Sequence, residues 1–273
     1  MKITSAMELI ATSRIARARV RVAESQPYTD KMNEVIRNLG AGTSSVSHPL
    51  LEKRPVATAG VVVVSSDRGL AGGYNSSVIR MAEHHIHDLH ARGIKVRLYA
   101  VGEKARAYFA YRNFDIEQAW LGVTDTPGYG DARMIGNTLL EDYESEQVDS
   151  FEVFTTRYVS ALTQKPVQWE LLPIEPPESV DEDELSVSYT FEPSAEAILA
   201  RLLPRYLEGT IFGMLLEASA SEHAARRRAM KAATENAEEL VRILTREANQ
   251  ARQAEITTEI SEIVGGAEAL AGG

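Results

Sequence analysis

The feature that most constrains this chain is a long stretch near its C-terminal end that lacks helix-breaking residues. No proline follows Pro204, and no glycine occurs between Gly213 and Gly265. Because each residue adds 1.5 Å along a helix axis, a helix continuing from Pro204 to Leu270 is about 100 Å long. One compact domain of this 273-residue chain cannot bury it. We therefore expect the helix to pack against another long helix or a partner protein.

A second long helix is predicted at the other end of the chain. Residues 3–39 carry apolar side chains at helical spacing, and Gly40 and Gly42 supply a stop signal. We expect the two helices to form an antiparallel or otherwise asymmetric coiled coil, with Pro204 at the first turn of the second helix. That helix carries a stripe with steps of four and three residues, which is the spacing of a coiled coil: Ala233, Ala237, Leu240, Leu244, Ala248 and Ala251.

The middle of the chain predicts an α/β fold. Val61 to Val64 form a β-branched run that is too short for a helix and typical of a strand buried on both faces. Further strands and helices are predicted to alternate after it, which indicates helices packed on a mostly parallel sheet. The strands are expected at 95–101, 115–120, 151–155 and 168–174, the helices at 76–91, 103–112 and 131–147, and an acidic surface loop at 175–186.

Charge and composition exclude several classes of protein. The formal net charge of −10 argues against a nucleic-acid partner and against attraction to anionic lipid over the whole surface. Because the chain has no cysteine, a disulfide framework, a thiolate metal site and a cysteine nucleophile are excluded. No stretch reaches the roughly 18–20 apolar residues that span a bilayer. The basic N-terminal end superficially resembles a mitochondrial transit peptide, but its periodicity favours a helix of the mature protein.

Motifs of catalytic and metal chemistry are weak. The sequence has no GxxxxGK[ST] phosphate loop and no GxSxG nucleophile elbow. The segment from Ser66 to Asn75 (SDRGLAGGYN) lies between a predicted strand and a predicted helix, where backbone amides could receive a phosphate, but its glycine spacing favours a tight structural turn. Four histidines share one predicted helix, and an exposed face is favoured over a metal site: His84, His85, His87 and His90.

Four segments carry a resemblance to a known family: residues 2–14 (KITSAMELIATSR), 66–75, 230–237 (MKAATENA) and 251–267 (ARQAEITTEISEIVGGA). In this order and at these positions they resemble the γ subunits of bacterial rotary F-type ATP synthases. Their amino-acid sequences are most similar to those of actinobacterial members. The resemblance covers nearly the whole chain. Family members usually begin further upstream of the Lys2-Ile3-Thr4 motif, so we expect the outermost turns of the first helix to be missing.

The resemblance implies a fold, a role and a set of partners. The fold is a long two-helix coiled coil, made of shaft helices at 1–42 and 194–273, with an inserted Rossmann-like α/β domain at 55–190. The role is that of a non-catalytic central-stalk rotor, without cofactor or metal, that transmits torque between a membrane c ring and the catalytic β subunits of a proton-translocating ATP synthase. The partners are the hexamer of α and β subunits, the ε subunit and the c ring. Through the c ring, the chain would be a peripheral protein on the cytoplasmic side of the cell membrane.

Two groups of contact residues are carried over from the family by motif. Tyr189 and Glu192 would lie on the side of the c ring and the ε subunit. From the residues alone, the run from Arg226 to Arg228 is equally typical of a solvated helix face. The surface that meets the β subunits would contain Met7, Arg226, Arg252, Gln253, Thr257, Glu259 and Glu262.

Two other classes of function remain open from the residues. One is a standalone nucleotide-binding α/β enzyme that uses the turn from Ser66 to Asn75, although no set of acid, base and nucleophile accompanies it. The other is a coiled-coil tether without a motor role, which leaves the α/β domain unexplained. Copurification with partner subunits would separate these alternatives from a rotor.

Overall fold

Two long helices frame the fold. The computed structural model describes residues 2–42, 48–175 and 194–271 of the chain. Helix α1 spans Lys2–Gly42, and helix α5 spans Ala195–Ala271, a length of 77 residues or about 115 Å. At the start of α5 the Ser194 hydroxyl accepts a hydrogen bond from the backbone N–H of Ala197 at 3.2 Å, as an N-cap does.

The prediction that Pro204 restarts the C-terminal helix is wrong. Pro204 lies inside α5, which begins nine residues earlier at Ala195. The buried side chains of Leu199, Leu203 and Leu207 belong to one continuous apolar core on both sides of the proline. This packing stabilises the helix through a residue that provides no backbone N–H.

The two long helices run antiparallel, which decides between the orientations left open by the sequence. Near the start of α1, the Thr234 hydroxyl lies 2.7 Å from that of Thr4. Further along α1, the Arg21 guanidinium carbon lies 6.0 Å from the centroid of the Phe212 ring, at the distance of a cation–π contact. Residue numbers therefore rise along α1 as they fall along α5.

The predicted apolar stripe of α5 is covered by α1 only at its beginning. Ala233 and Ala237 are half-buried, whereas Leu240 is 56% exposed and Leu244 is 53% exposed. Ala248 and Ala251 are exposed as well. Thr4 in the first turn of α1 lies beside Thr234. From about residue 238 onward α5 extends as a single helix.

A five-stranded sheet lies between the two long helices in sequence, as predicted. Its strand order is β3-β2-β1-β4-β5, and all neighbouring pairs are parallel except β4 and β5. The first four places of this order are those of a doubly wound, Rossmann-like sheet. The elements are β1 (Thr58–Val64), α2 (Tyr74–Ala91), β2 (Lys95–Val101), α3 (Glu103–Tyr111), β3 (Ile116–Trp120), α4 (Tyr129–Glu144), β4 (Ser150–Tyr158) and β5 (Gln164–Leu172), preceded by a short 3₁₀ helix (Pro49–Leu51). We call residues 48–175 the α/β unit.

The strand β1 joins two hydrophobic layers because its side chains alternate between the faces of the sheet. Val61 and Val63 pack on one face with residues of α2 and α3. Val62 and Val64 pack on the other face with residues of α4 and α5, among them Leu215. Burying one such side chain contributes about 1.5–3 kcal/mol. Helix α5 is therefore part of the core of the α/β unit before it continues beyond it.

Candidate functional site

One segment of α5, residues 217–228, contacts three loops that follow β1, β3 and β4. These three strands are parallel, so their carboxyl ends lie at one edge of the sheet. The Tyr74 hydroxyl, just after the first loop, donates to the Ala218 carbonyl at 3.2 Å, and the Ser221 hydroxyl donates to the Thr156 carbonyl in β4 at 3.2 Å. We call this segment and the loops 65–73, 121–128 and 159–163 the junction.

The turn that follows β1 is held by a carboxylate of its own. Asp67 accepts hydrogen bonds from the backbone N–H groups of Gly122 at 2.9 Å, Thr124 at 3.1 Å and Glu103 at 3.2 Å. Burial alone would raise the pKa of Asp67, but these hydrogen bonds and that of the Thr124 hydroxyl outweigh it and lower the pKa. Glu103 is the first residue of α3, so the Asp67 side chain connects the turn to the N-terminus of α3 and to the loop after β3. This favours the interpretation of the glycine-rich segment as a structural turn.

A buried ion pair connects α5 to the same turn. The Arg226 guanidinium lies 2.6 Å from the Glu222 carboxylate, and the two side chains are 9% and 1% exposed. Arg226 also donates to the carbonyls of Arg68 and Gly69, each at 3.2 Å. Burial raises the pKa of Glu222, while Arg226 acts in the opposite direction. The expectation that Arg226 lies on a solvated or partner-facing surface is wrong for this structure, because its guanidinium is bound inside the chain.

The loop between β3 and α4 contacts both long helices through Asp125. Its carboxylate forms an ion pair with Arg14 of α1. Its carbonyl accepts a hydrogen bond from the Ser219 hydroxyl at 3.1 Å and lies 3.2 Å from Nε2 of His223. Burial lowers the pKa of His223 to about 4, and the nearby Arg226 and Arg14 act in the same direction. His223 is therefore neutral near pH 7.

Asp125, Glu222 and His223 also form the one group of metal-ligand type within the described parts of the chain. Their ligand atoms lie within 4.8 Å of one another. Two arginines already neutralise the carboxylates, and one of them, Arg226, lies 3.5 Å from Nδ1 of His223. This arrangement balances charge within the protein and disfavours an additional cation.

The predicted exposed face of α2 is found for three of its histidines, while His85 is half-buried and pairs with Glu152 at 2.5 Å.

The other residues predicted to contact partners lie mostly on the single-helix part of α5. Met7 is half-buried on α1. Apolar side chains are interspersed with the α5 residues, and Ile256, Ile260 and Ile263 are 47%, 56% and 72% exposed. Tyr189, Glu192 and most of the predicted acidic loop fall outside the described residues. Five predicted contact residues are exposed on α5: Arg252, Gln253, Thr257, Glu259 and Glu262.

Comparison with known proteins places this geometry in a family. The family model described as ATP synthase matches residues 1–270. A relative from Kineococcus radiotolerans, named ATP synthase gamma chain, is 49% identical over 99% of this chain and 92% of its own length. The chain belongs to the ATP synthase gamma-chain family. A gamma chain from Frankia casuarinae is 48% identical and matches 100% of this chain and 93% of its own length. The resemblance read from the four sequence segments is thus confirmed.

Solved structures support the same fold. The central stalk and c-ring structure of the Tetrahymena thermophila mitochondrial ATP synthase contains a chain that matches with a TM-score of 0.64 at 20% identity, covering 85% of this chain and 99% of that one. A chain of the Euglena gracilis mitochondrial enzyme matches with a TM-score of 0.60 at 16% identity, covering 97% and 95%. In the described part of the present chain, no helix is both long and apolar enough to cross a membrane.

Sequence reasoning did not single out the carboxylates of the junction. Asp67 and Asp125 lie in loops, where a carboxylate is ordinary, and their partners are distant in sequence. Glu222 offered a signal, since it continues the helical spacing of the buried residues Ile211, Leu215 and Ala218. A carboxylate on an apolar stripe requires a partner, and Arg226 stands one turn further along.

Proposed function

We propose that this chain is the central-stalk rotor of a proton-translocating ATP synthase, transmitting torque between a membrane c ring and the catalytic β subunits. Three observations support the proposal: membership of the gamma-chain family, the fold shared with solved central stalks, and the single-helix part of α5. The last of these carries most weight. An exposed helix with isoleucines at 256, 260 and 263 has the composition of a surface that a partner covers.

The end of α5 is the proposed contact with the β subunits. Arg252, Gln253 and Thr257 are exposed there, with Glu259 and Glu262 about two and three turns beyond Arg252. A single helix presents different residues in different directions, so three β subunits arranged around it would each meet a different surface. Rotation of the helix would then change which catalytic site is open. We keep Met7 in this contact set and omit Arg226, because the latter is bound within the junction.

At the other end of the rotor we propose contacts with the c ring and the ε subunit, to which Tyr189 and Glu192 would contribute. In this arrangement the chain is a peripheral protein on the cytoplasmic side of the cell membrane and carries no catalytic site or cofactor of its own. A nucleotide-binding enzyme would need the glycine-rich turn to bind its ligand. Hydrogen bonds within the chain already involve Asp67, Arg68 and Gly69 of this turn, which supports a structural role for it.

Reconstitution tests the rotor proposal directly. The complete chain and a chain ending at Asn249 are each expressed with the α, β and ε subunits and the c ring, and the complexes are purified. We expect the complete chain to copurify with the other subunits and to support ATP-driven proton pumping in vesicles, and we expect the shortened chain to lose pumping. Equal pumping by both chains, or turnover of ATP by the purified chain alone, would contradict the proposal.

A further inference from the structure

The loop between β3 and α4, residues 121–128, is the place where the α/β unit contacts α1 by charge. Arg14 of α1 forms an ion pair with the Asp125 carboxylate, and the side chains are 33% and 22% exposed. About two turns further along α1, Arg21 donates a hydrogen bond to the Pro127 carbonyl. Most other contacts of α1 are with α5. These two arginines therefore connect α1 to the sheet without passing through α5.

The same loop is connected to α5 from its other side. Ser219 and His223 contact the Asp125 carbonyl at 3.1 and 3.2 Å, and the ring of His223 lies 3.8 Å from the Asp125 carboxylate. His223 is only 2% exposed, and its lowered pKa keeps it neutral, so the positive charge paired with the Asp125 carboxylate is that of Arg14. Asp125 is thus a residue to which both long helices bind.

The loop itself is fixed to the sheet. The Thr124 hydroxyl and N–H bond to the Asp67 carboxylate at 2.9 and 3.1 Å. At the other end the Gly128 N–H donates to Asp131 at 2.7 Å, in the first turn of α4. A loop held at both ends transmits force between the elements it connects, whereas a mobile loop would absorb it.

We propose that Asp125 is a positioning residue whose carboxylate locks α1 to the α/β unit, so that the unit, with α5 in its core, and α1 turn as one body. The inference rests on the proposed rotor function, because a lock of this kind matters only where torque passes from the unit to the helices. Without the Asp125 carboxylate, α1 keeps its packing on α5 but loses its ion pair with the unit.

Hydrogen exchange tests the lock in the isolated chain. The substitution Asp125→Asn keeps the backbone carbonyl and side-chain size and removes the charge that Arg14 binds. We expect amide exchange in residues 122–125 to become about fivefold faster, as for the loss of a partly buried pair worth about 1 kcal/mol. The matched control is Glu83→Gln in α2, whose carboxylate is 13% exposed and bonds to Arg112 and Tyr108 within the unit. Unchanged exchange of this loop in the Asp125→Asn variant would overturn the proposal.

A mechanical test uses the absence of native cysteine. In the assembled complex, with other subunits free of reactive cysteine, Arg14→Cys and Asp125→Cys are combined and a short thiol-reactive bridge is added. With the catalytic ring fixed, a probe on the α/β unit reports angular fluctuation. We expect the angular fluctuation of the α/β unit to be larger in the unbridged variant than in the unmodified complex. Bridging the two cysteines should restore the fluctuation of the unmodified complex.

The outcomes separate the two proposals. If the unmodified complex does not rotate, the rotor function fails, and the lock fails with it. If the unmodified complex rotates but the unbridged variant fluctuates equally, or if bridging leaves the excess fluctuation in place, only the lock fails. The single substitution Asp125→Asn in the isolated chain keeps the proposal testable if the double variant does not assemble.

Discussion

Replacing Arg226 by alanine is expected to destabilise the chain far more than its position in a run of three arginines suggests. The guanidinium lies 2.6 Å from Glu222, and the two side chains are 9% and 1% exposed. Removal of the guanidinium leaves a buried carboxylate without its counter-charge. It also removes the donor from the carbonyls of Arg68 and Gly69. Both losses occur in the folded state, while the unfolded chain solvates these groups.

The magnitude follows from the burial of the pair. Breaking a buried ion pair by removing one partner costs about 3–5 kcal/mol. Glu222 can reduce this cost by taking up a proton, because burial already raises its pKa, so we expect about 3 kcal/mol near neutral pH. Such a loss is a large share of the stability of an ordinary domain, which is about 5–15 kcal/mol.

The same reasoning gives the sign of the pH dependence. A carboxyl group whose pKa is raised in the folded state contributes stability that is complete below its unfolded pKa and is lost as the pH rises through its folded pKa. Because Arg226 lowers the pKa of Glu222, its removal raises that pKa further and extends the loss to higher pH. The deficit of the variant should therefore be smaller near pH 5 than near pH 8.

Urea unfolding measures both effects, with the fluorescence of Trp120 and Trp169 in β3 and β5 as the probe of the α/β unit. The matched control is Arg242→Ala on the same helix, whose partner Glu239 lies at 3.3 Å and whose pair is 72% and 58% exposed. The control should change the free energy of unfolding by less than about 0.5 kcal/mol. A loss of under about 1 kcal/mol for Arg226→Ala near pH 8, or equal losses at both pH values, would refute the reasoning.

Three further predictions concern other parts of the chain. Gly60→Ala should lower the free energy of unfolding by about 1–3 kcal/mol, because the added Cβ overlaps the Phe151 ring. Gly130→Ala places its Cβ in open space and is the control in the same thermal unfolding experiment, and equal stability of the two variants would contradict the prediction. Burial lowers the pKa of His223 to about 4 in the folded chain, so as the pH falls the unfolded chain takes up the imidazole proton before the folded chain does. His223→Gln should therefore reduce the loss of stability between about pH 6.5 and pH 4, and the same slope in the parent and the variant would contradict the prediction. Replacing Arg252 and Gln253 together by alanine should reduce ATP-driven proton pumping, because hydrogen bonds to a charged group contribute about 1.5–3 kcal/mol, while the circular dichroism of the chain should stay unchanged. Pumping at the rate of the His87→Ala control would remove both residues from the contact set.

The layout of the α/β unit could be predicted because each element carries its own local signal. The run from Val61 to Val64 is β-branched and uniform, and the glycine-rich turn after it leads into α2. The expected strand at 95–101 has the bounds found in the structure. Local signals of this kind depend on side-chain type and spacing, which the sequence states directly.

The junction could not be predicted because its partners meet only in three dimensions. Arg14 and Asp125 are 111 residues apart, and Arg226 and Gly69 are 157 apart. A run of arginines on a helix is usually solvated, and Arg226 alone of the three is buried because it contacts a loop that is distant in sequence. Likewise, nothing near Pro204 in sequence shows that the leucines around it belong to one core. The division of the chain at residues 42, 55, 190 and 194 stays a prediction.

The continuity of α5 from the junction to its exposed end has a consequence for timing. An α-helix turns by about 100° for each residue, so the direction in which Arg252 points relative to Arg226 is set by the number of residues between them, about seven turns. Deleting one residue between about residue 238 and Arg252 would turn the end of the helix by about 100° relative to the α/β unit, while the contacts of α5 with α1 and the unit stay in place. Deleting seven residues, nearly two complete turns, would restore the direction to within about 20° and shorten the helix by only about 10 Å. The length of this uninterrupted helix thus encodes a phase angle between its two ends.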